Sequence, residues 1–191
     1  MPFVEETLSK ETVLDCPIFR LVKHRVSTVS GKISSRYIIE HRGAVAIAAL
    51  TPEGKLLMIR QFRKSLEKVL WEIPAGMIDP DEQPQEFPSE SGIKCFYLGT
   101  AKRELKEETG WEAENWRPLF NFHGSVGYTN EKLEIWRCDC TVKGNTDFDD
   151  SEDIDLYEME IPELVNMIRS GEITDGKTVA AILMLAQEEG R

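Results

Sequence analysis

The chain has 191 residues, of which 41% are hydrophobic and 30% charged, and its formal net charge at pH 7 is −11. These values suit one globular domain, and the negative charge disfavours nucleic-acid binding, which needs a basic face. No apolar run is long enough to cross a bilayer, and the acidic N-terminus lacks the apolar stretch of a signal peptide. We therefore expect a cytoplasmic protein whose partners include neither nucleic acid nor membrane.

The N-terminal residues 1–42 predict an antiparallel β meander. Between residues 19 and 40, short β-prone runs alternate with the turn signal Ser30-Gly31-Lys32. Ala44–Leu50 is continuously apolar and predicts a buried strand, and residues 55–62 predict a second one. These two strands would form a hairpin within the central sheet of a main domain over residues 43–191.

The next segment contains a loop and a short charged helix. Residues 83–92 are polar and punctuated by prolines, which predicts a loop. Residues 101–109 predict a helix, with Thr100 as its N-cap and Gly110 directly after its last turn.

Two further strands are expected over residues 116–122 and 132–141, followed by an acidic loop over residues 143–152. Cys138 and Cys140 stand two apart in the second of these strands, so both should face one side of a sheet as buried, reduced thiols. The four cysteines and three histidines show neither a disulfide framework nor the spacing of a structural zinc site.

The C-terminal third predicts two helices. Pro162 stands at a first-turn position, and Gly171 would end the helix that it opens. Residues 177–187 predict a second helix with one apolar stripe. The chain as a whole thus predicts an α/β (α+β) protein in which helices cover a sheet.

Three carboxylates of the charged helix point in nearly the same direction. Glu104, Glu107 and Glu108 are three or four residues apart, a spacing at which like charges repel by a few tenths of a kcal/mol, roughly. A hard divalent cation such as Mg²⁺ would offset that repulsion, because it takes oxygen ligands. The alternative is a solvated helix face on which Arg103 and Glu107 form an ordinary ion pair.

The residues around this helix resemble the Nudix box, which runs Gly, five residues, Glu, seven residues, then Arg-Glu-apolar-x-Glu-Glu-x-Gly-apolar. Gly76 and Glu82 match its first half, and residues 103–111 (RELKEETGW) match its second half. Twenty residues separate the halves instead of seven, so we expect an insertion at about 83–100, either over the site mouth or as an indifferent surface loop. The resemblance implies a Nudix-type mixed-sheet α/β/α sandwich after the N-terminal meander.

Segments outside the box resemble the ADP-ribose pyrophosphatase branch of that superfamily. They are residues 60–63 (RQFR), 71–76 (WEIPAG) and 125–131 (SVGYTNE), and, near the C-terminus, residues 152–154 and 171–178. Val126 departs from the branch, which usually has a proline there.

This resemblance implies metal-dependent hydrolysis of the diphosphate bond of a nucleotide-sugar, with ADP-ribose cleaved to AMP and ribose 5-phosphate. One alternative is a Nudix hydrolase of another substrate, such as GDP-mannose, a dinucleotide or a nucleoside triphosphate. Another is a non-catalytic module that binds a nucleotide-sugar, although such a protein would be expected to lose ligand carboxylates that this chain retains.

The resemblance also implies a site for Mg²⁺ or Mn²⁺. Glu104 and Glu108 would bind the cation directly, and Glu107 would hold a further cation directly or through water. The Ala75 carbonyl would complete the ligand cage, because backbone carbonyls are good hard ligands.

Three neighbours would support these ligands. Arg103 would pair with Glu82 across the junction of loop and helix and so orient the carboxylates. A plain surface salt bridge between the two residues is the alternative. Gly76 would let the backbone approach the cation closely.

Four residues before the box would contact the substrate. Arg63 is the candidate phosphate clamp, since a guanidinium matches phosphate oxygens, while Arg60 is a weaker candidate on the surface. Glu72 would contact the sugar or assist the metal ions. Trp71 would stack on a base or, alternatively, lie in the core.

Catalysis would depend on Glu107, Glu108 and a general base. By resemblance the base lies in the loop after the last core strand, where Glu152 is the expected residue and Asp150 and Asp153 are its competitors. Without the resemblance, this acidic run would read as a solvated loop.

The implied partners are a small nucleotide diphosphate substrate and a second copy of the chain. The branch often forms intertwined homodimers whose N-terminal strands help to build the partner's site. The predicted meander would then be a dimerisation element, an expectation that rests on analogy alone.

Overall fold

The computed structural model describes residues 3–79, 90–146, 153–188 and 190, with side chains in the first helix from Phe96 onward. The described strands are β1 (Glu6–Asp15), β2 (Phe19–Ser27), β3 (Ile33–His41), β4 (Ala44–Leu50), β5 (Leu56–Arg63), β6 (Lys68–Glu72), β7 (Ala75–Met77), β8 (Trp111–Phe122), β9 (Leu133–Lys143) and β10 (Ile154–Met159). The described helices are α1 (Glu90–Thr109), α2 (Ile161–Ser170) and α3 (Gly176–Glu188).

The chain divides into two compact units, and the smaller one is an N-terminal antiparallel sheet in the order β1-β2-β3. The predicted meander is therefore confirmed, with Gly31 (φ 78°) in the turn between β2 and β3. Strand β1 was not predicted, because its ten residues are mostly polar and all exposed. The segment His123–Lys132 belongs to the same unit and is held against β3, where the Ile39 N–H donates to the Tyr128 carbonyl at 2.7 Å.

The larger unit is built on a seven-stranded mixed sheet in the order β10-β5-β4-β9-β8, with β6 paired to β5 and β7 to β4. Strands β4 and β9 are parallel, whereas the other pairs are antiparallel. All seven residues of β4 are buried. Strands that are apolar on both faces are typical of a sheet covered by helices on both sides.

Alternation along β4 separates two hydrophobic cores. Its even-numbered residues pack in one core with α2 and α3, and its odd-numbered residues pack in the other with Ala101 and Leu105 of α1. Because successive strand residues point to opposite faces, α1 covers one face of the sheet and α2 and α3 cover the other. The predicted mixed-sheet α/β/α sandwich is therefore confirmed. Cys138 and Cys140 are both buried in the α1 core, and burial raises the pKa of the Cys140 thiol to about 12.

Helix α1 is longer than its sequence pattern indicates. It begins at Glu90 instead of residue 101, so the prediction of Thr100 as an N-cap is wrong. Thr100 lies within the helix and is 2% exposed. The cap signal of Thr100 was misleading because helix stability in proteins comes mainly from tertiary packing, which Ala101 and Leu105 supply here, whereas Gly110 follows the last helical residue as predicted. Much of the expected insertion therefore extends the helix.

The C-terminal helices agree with their sequence signals. Helix α2 carries Pro162 in its first turn and ends at Gly171 (φ 81°), whose N–H donates to the Ile168 carbonyl at 3.1 Å. Helix α3 follows after a short connection. Over the described residues, no helix is long and apolar enough to cross a membrane.

Candidate active site

Helix α1 meets strand β7 at a single glycine. A Cβ on Gly76 would lie 1.9 Å from Cδ of Glu104 and 2.1 Å from its Oε1, so the carboxylate occupies the space that any other residue would fill. Gly76 is fixed in the sheet by its pairing with Val45. The structure thus brings the two predicted residues into direct contact, and the close approach explains the glycine.

The second carboxylate of this helix reaches the same strand. Glu108 is 5% exposed, and its Oε2 accepts a hydrogen bond from the Ala75 N–H at 3.0 Å. Glu104 and Glu108 are one helical turn apart, so both carboxylates lie at β7. Four predicted site residues, Ala75, Gly76, Glu104 and Glu108, are therefore neighbours.

Arg103 links the remaining carboxylates of the site. Its Nη1 donates to Oε2 of Glu107 at 2.8 Å, and its Nη2 lies 3.0 Å from Oε1 of Glu104. The same Nη2 is 3.1 Å from Oδ2 of Asp79. The expected partner Glu82 lies outside the described residues, and Asp79 is an ion-pair partner that the sequence did not reveal. Positive charge at this position offsets the repulsion between Glu104 and Glu107.

The Glu104 and Glu108 carboxylates are candidate ligands for a divalent cation. Within the described residues, no group of three or more His, Cys, Asp or Glu side chains forms a candidate metal cluster. Mg²⁺, however, normally takes one or two protein carboxylates and completes its shell with water and phosphate oxygens. Glu104 in the space beside Gly76, with Glu108 one turn further on, fits that requirement. Glu107 would have to exchange Arg103 for the cation.

A buried ion-pair cluster surrounds Glu72 at the end of β6. The Glu72 side chain is 3% exposed, and Arg63 donates to both of its oxygens, from Nε at 2.6 Å and from Nη2 at 2.8 Å. Lys177, from the first turn of α3, donates to Oε2 of the same carboxylate. Burial alone would raise the pKa of Glu72, but the hydrogen bonds and charges of Arg63 and Lys177 hold it below its ordinary value.

Arg63 connects this cluster with the helix carboxylates. Its hydrogen bonds to Glu72 raise the pKa of the guanidinium against the effect of burial, and the negative charges of Glu72, Glu108 and Asp175 raise it further. The negative charge of Glu108 therefore helps to keep the Arg63 guanidinium protonated.

Two residues hold Lys177 in place. Asp175 accepts from Lys177 Nζ at 2.9 Å and from the Thr178 backbone N–H at 3.1 Å. Thr178 Oγ1 in turn accepts from the Ile73 N–H at 3.0 Å, which joins α3 to the chain leaving β6. Sequence reasoning missed this cluster, although a lysine in the first turn of an apolar helix is a usable signal. A cation is unfavourable at a helix N-terminus and so indicates an acidic partner.

The four predicted substrate-binding residues do not share one surface. Arg60 stacks over the Trp71 ring at 5.2 Å, and the ring centroids of Trp71 and Tyr157 are 4.8 Å apart. Arg60 pairs with Trp71, whereas Glu72 pairs with Ile59. Because strand residues alternate between faces, Arg60 and Trp71 lie on the opposite face from Arg63 and Glu72.

The expected general base falls in a segment that the structure describes only in part. Glu152 and Asp150 lie outside the described residues. Asp153 is exposed and directly precedes β10, whose first residue, Ile154, pairs with Gln61.

Comparison with known proteins identifies the family. Residues 40–86 match the NUDIX domain. The chain is 33% identical over 187 residues to the ADP-ribose pyrophosphatase of Bacillus subtilis (strain 168), covering 97% of this chain and 94% of that protein. It is 34% identical over 189 residues to the methanol dehydrogenase activator of Bacillus methanolicus, covering 98% and 95%.

A solved structure agrees with the fold. The crystal structure of an ADP compounds hydrolase superposes with a TM-score of 0.78 at 19% identity, covering 98% of this chain and 96% of the other. At that identity the similarity concerns the fold alone, whereas the sequence relatives match nearly the whole chain. The chain therefore belongs to the Nudix hydrolase superfamily and is one of its pyrophosphohydrolases.

Proposed function

We propose that the protein hydrolyses the diphosphate bond of a nucleotide-sugar in the presence of Mg²⁺ or Mn²⁺, converting ADP-ribose to AMP and ribose 5-phosphate. The observation that carries the proposal is the Glu104 carboxylate held against Gly76 and beside Glu108. The 33% identity with an ADP-ribose pyrophosphatase over 97% of the chain supports the substrate.

Each residue of the site has a distinct role in this proposal. Glu104, Glu108 and the Ala75 carbonyl would hold the cation, and Glu107 would hold a further one, directly or through water, in place of its ion pair with Arg103. When bound, the metal neutralises charge on the leaving phosphate and acidifies the attacking water. Arg103 keeps the carboxylates oriented between turnovers.

Binding and proton transfer are assigned to other residues. Arg63 binds a phosphate oxygen, because its Nε and Nη2 are fixed on Glu72 while its Nη1 makes no hydrogen bond within the described residues. Glu152 takes the proton from the attacking water, with Asp150 and Asp153 as the alternatives. Arg60 and Trp71 stack on each other on the other face of the sheet from Arg63, and we assign them a structural role.

The test is product formation from ADP-ribose with Mg²⁺, measured for the wild type and for Glu108→Gln. We expect AMP and ribose 5-phosphate from the wild type and a variant slower by roughly a hundredfold, since Mg²⁺ sites normally use one or two carboxylates and the amide removes the negative charge of one of them. A panel of GDP-mannose, a dinucleotide and a nucleoside triphosphate runs beside it. Cleavage of a panel member instead of ADP-ribose would leave the chemistry intact and refute the substrate. No cleavage of any compound would refute the proposed reaction.

A second candidate function comes from the relation to a methanol dehydrogenase activator, which matches this chain as well as the pyrophosphatase does. In that case the protein activates a dehydrogenase. The test is the rate of a purified methanol dehydrogenase with and without the protein, beside Glu108→Gln. A rate increase that the variant fails to produce would support activation through the hydrolase site.

We also propose that the chain forms a homodimer through its N-terminal sheet. Leu8, Val13, Leu14, Ile33 and Tyr37 are each about half exposed on this sheet, at 48% to 54%. Exposed apolar side chains concentrated on one small sheet favour association of that sheet with another surface.

Light scattering should give twice the chain mass of 21.8 kDa for the wild type. The matched variants are Val13→Asp in β1 and Lys55→Asp, the second at the turn between β4 and β5 in the other unit. We expect Val13→Asp to shift the mass towards one chain and Lys55→Asp to leave it unchanged. A monomeric wild type, or a dimer that Val13→Asp leaves intact, would contradict an interface on this sheet.

A further inference from the structure

We infer that Lys177 is a positioning residue, which holds the guanidinium of Arg63 in place for a substrate phosphate through the shared carboxylate of Glu72. The inference rests on the proposed function, in which Arg63 binds a phosphate oxygen. It adds a role for α3, which carries none of the residues of the Nudix box.

The placement of Lys177 is costly and so requires an explanation. The residue is 8% exposed, and lysine is almost never buried unless it is paired. Its position in the first turn of α3 also opposes the helix dipole. Replacing a whole buried ion pair with well-packed apolar residues of similar volume is often neutral or stabilising, so a buried ion pair is weak evidence for a purely stabilising role. Stability alone therefore does not account for a lysine at this position.

The contacts of Lys177 lead directly to Arg63. Oε2 of Glu72 accepts from both Lys177 Nζ and Arg63 Nη2, the latter at 2.8 Å, while Oε1 accepts from Arg63 Nε at 2.6 Å. One edge of the guanidinium is thus fixed by a carboxylate that is itself fixed from the other side. Rotation of Glu72 would carry Arg63 with it, and Lys177 prevents that rotation.

Asp175 completes the arrangement by fixing Lys177. Its Oδ2 accepts from Lys177 Nζ at 2.9 Å and from Thr178 Oγ1 at 2.5 Å, so the ammonium group cannot swing out to solvent. The chain of contacts therefore runs from the start of α3 through a buried carboxylate to a half-exposed arginine, whose side chain is 38% exposed. A donor held in this way loses little conformational entropy when it binds a phosphate.

The Nη1 atom of Arg63 lies outside the hydrogen bonds to Glu72. Its Nη1 makes no hydrogen bond to the described residues, and the guanidinium lies within the electrostatic reach of Glu108. Nη1 is therefore available to donate to a phosphate oxygen of the substrate. Glu72 is committed to Arg63 and Lys177, which argues against its direct contact with the sugar.

The experiment is a double-mutant cycle on kcat/KM with Lys177→Met, Arg63→Ala and the double variant, using whichever substrate of the panel is cleaved. We expect Lys177→Met to lower kcat/KM about tenfold in the wild type and to have no further effect in the Arg63→Ala background. Independent, additive losses would overturn the inference, and so would an unchanged kcat/KM in Arg63→Ala.

The matched control is Leu185→Ala, which removes a buried side chain of α3 that touches none of these charges. It should destabilise the protein comparably, yet leave kcat/KM unchanged well below the melting temperature. An equal loss of activity in Leu185→Ala would show that Lys177 acts through helix stability only. If Lys177→Met does not fold, Asp175→Asn replaces it, with an expected loss of about threefold that also vanishes in the Arg63→Ala background.

A binding measurement separates this inference from the proposed reaction. Calorimetric titration with ADP in the presence of EDTA needs neither cleavage nor metal. Lys177→Met should weaken ADP binding about tenfold, and Leu185→Ala should not change it. If no compound of the panel is cleaved, the reaction fails while this titration still decides whether Lys177 positions Arg63. An unchanged Kd for ADP in Lys177→Met would overturn the inference.

Discussion

Replacing Gly76 with alanine should lower kcat/KM for the diphosphate substrate by between about a hundredfold and a thousandfold. The new Cβ would stand 1.9 Å from Glu104 Cδ, whereas ordinary contact begins at 3.4 Å, so the carboxylate must move by roughly 1.5 Å. A misplacement of about 1 Å at a reacting centre can cost roughly a hundredfold in rate. Gly76 does not have a positive φ, so alanine brings no backbone strain of its own.

A control variant and a rescue variant of Gly76→Ala can both be made in helix α1. Gly99→Ala in α1 places its Cβ in open space and should leave kinetics unchanged, with a slight gain in helix stability. Glu104→Asp shortens the side chain by one methylene, which should reduce activity in the wild type but restore part of it in Gly76→Ala. Steady-state kinetics on the wild type, the three single variants and the double variant of Gly76→Ala with Glu104→Asp checks both points. Wild-type kinetics in Gly76→Ala would place the active site elsewhere.

Much of this fold follows from local pattern. The apolar run Ala44–Leu50 predicted a strand buried on both faces, and its alternate residues do pack in two separate cores. Pro162 and Gly171 fixed the ends of α2, because both act through their own backbone dihedral angles. Such signals need no knowledge of the rest of the chain.

The sequence-based predictions that failed concern features of the fold that depend on residues distant in the chain. Helix α1 begins eleven positions before the predicted residue 101, at Glu90, since packing against the sheet outweighs the cap signal of Thr100. Strand β1 is mostly polar and exposed along its whole length, and it is held as a strand by its pairing with β2.

The site residues also divide into those that local pattern predicted and those whose contacts depend on distant parts of the chain. Residue identities in the box predicted which carboxylates α1 would present, and Gly76 and Glu104 are indeed in contact. The ion pair between Glu72 and Lys177 joins residues 105 positions apart, and no local pattern indicates such a contact. Likewise, alternation alone puts Arg60 and Arg63 on opposite faces of β5, but only the strand register shows that Arg63 shares the face of Glu72.

Replacing Glu72 with glutamine should lower the free energy of unfolding at pH 7 by about 3–5 kcal/mol, the cost of removing one partner from a buried ion cluster. The amide has nearly the same shape, so the loss reflects charge: Arg63 and Lys177 would share a neutral acceptor. Glu67→Gln is the matched control, because Glu67 is 66% exposed and pairs with Lys64, which is 82% exposed. Removing such a surface pair should change stability by less than about 1 kcal/mol in urea unfolding.

The pH dependence of this loss identifies its origin. Although burial opposes ionisation, Arg63 and Lys177 hold the pKa of Glu72 in the folded protein below its ordinary value of 4.5. A carboxyl with a depressed pKa stabilises the fold above its unfolded pKa, and this contribution is lost as pH falls through the folded pKa. The difference between wild type and Glu72→Gln should therefore be complete at pH 7 and shrink as pH falls below 4.5. A difference that stays constant on acidification would mean that packing, rather than the charge of Glu72, stabilises this cluster.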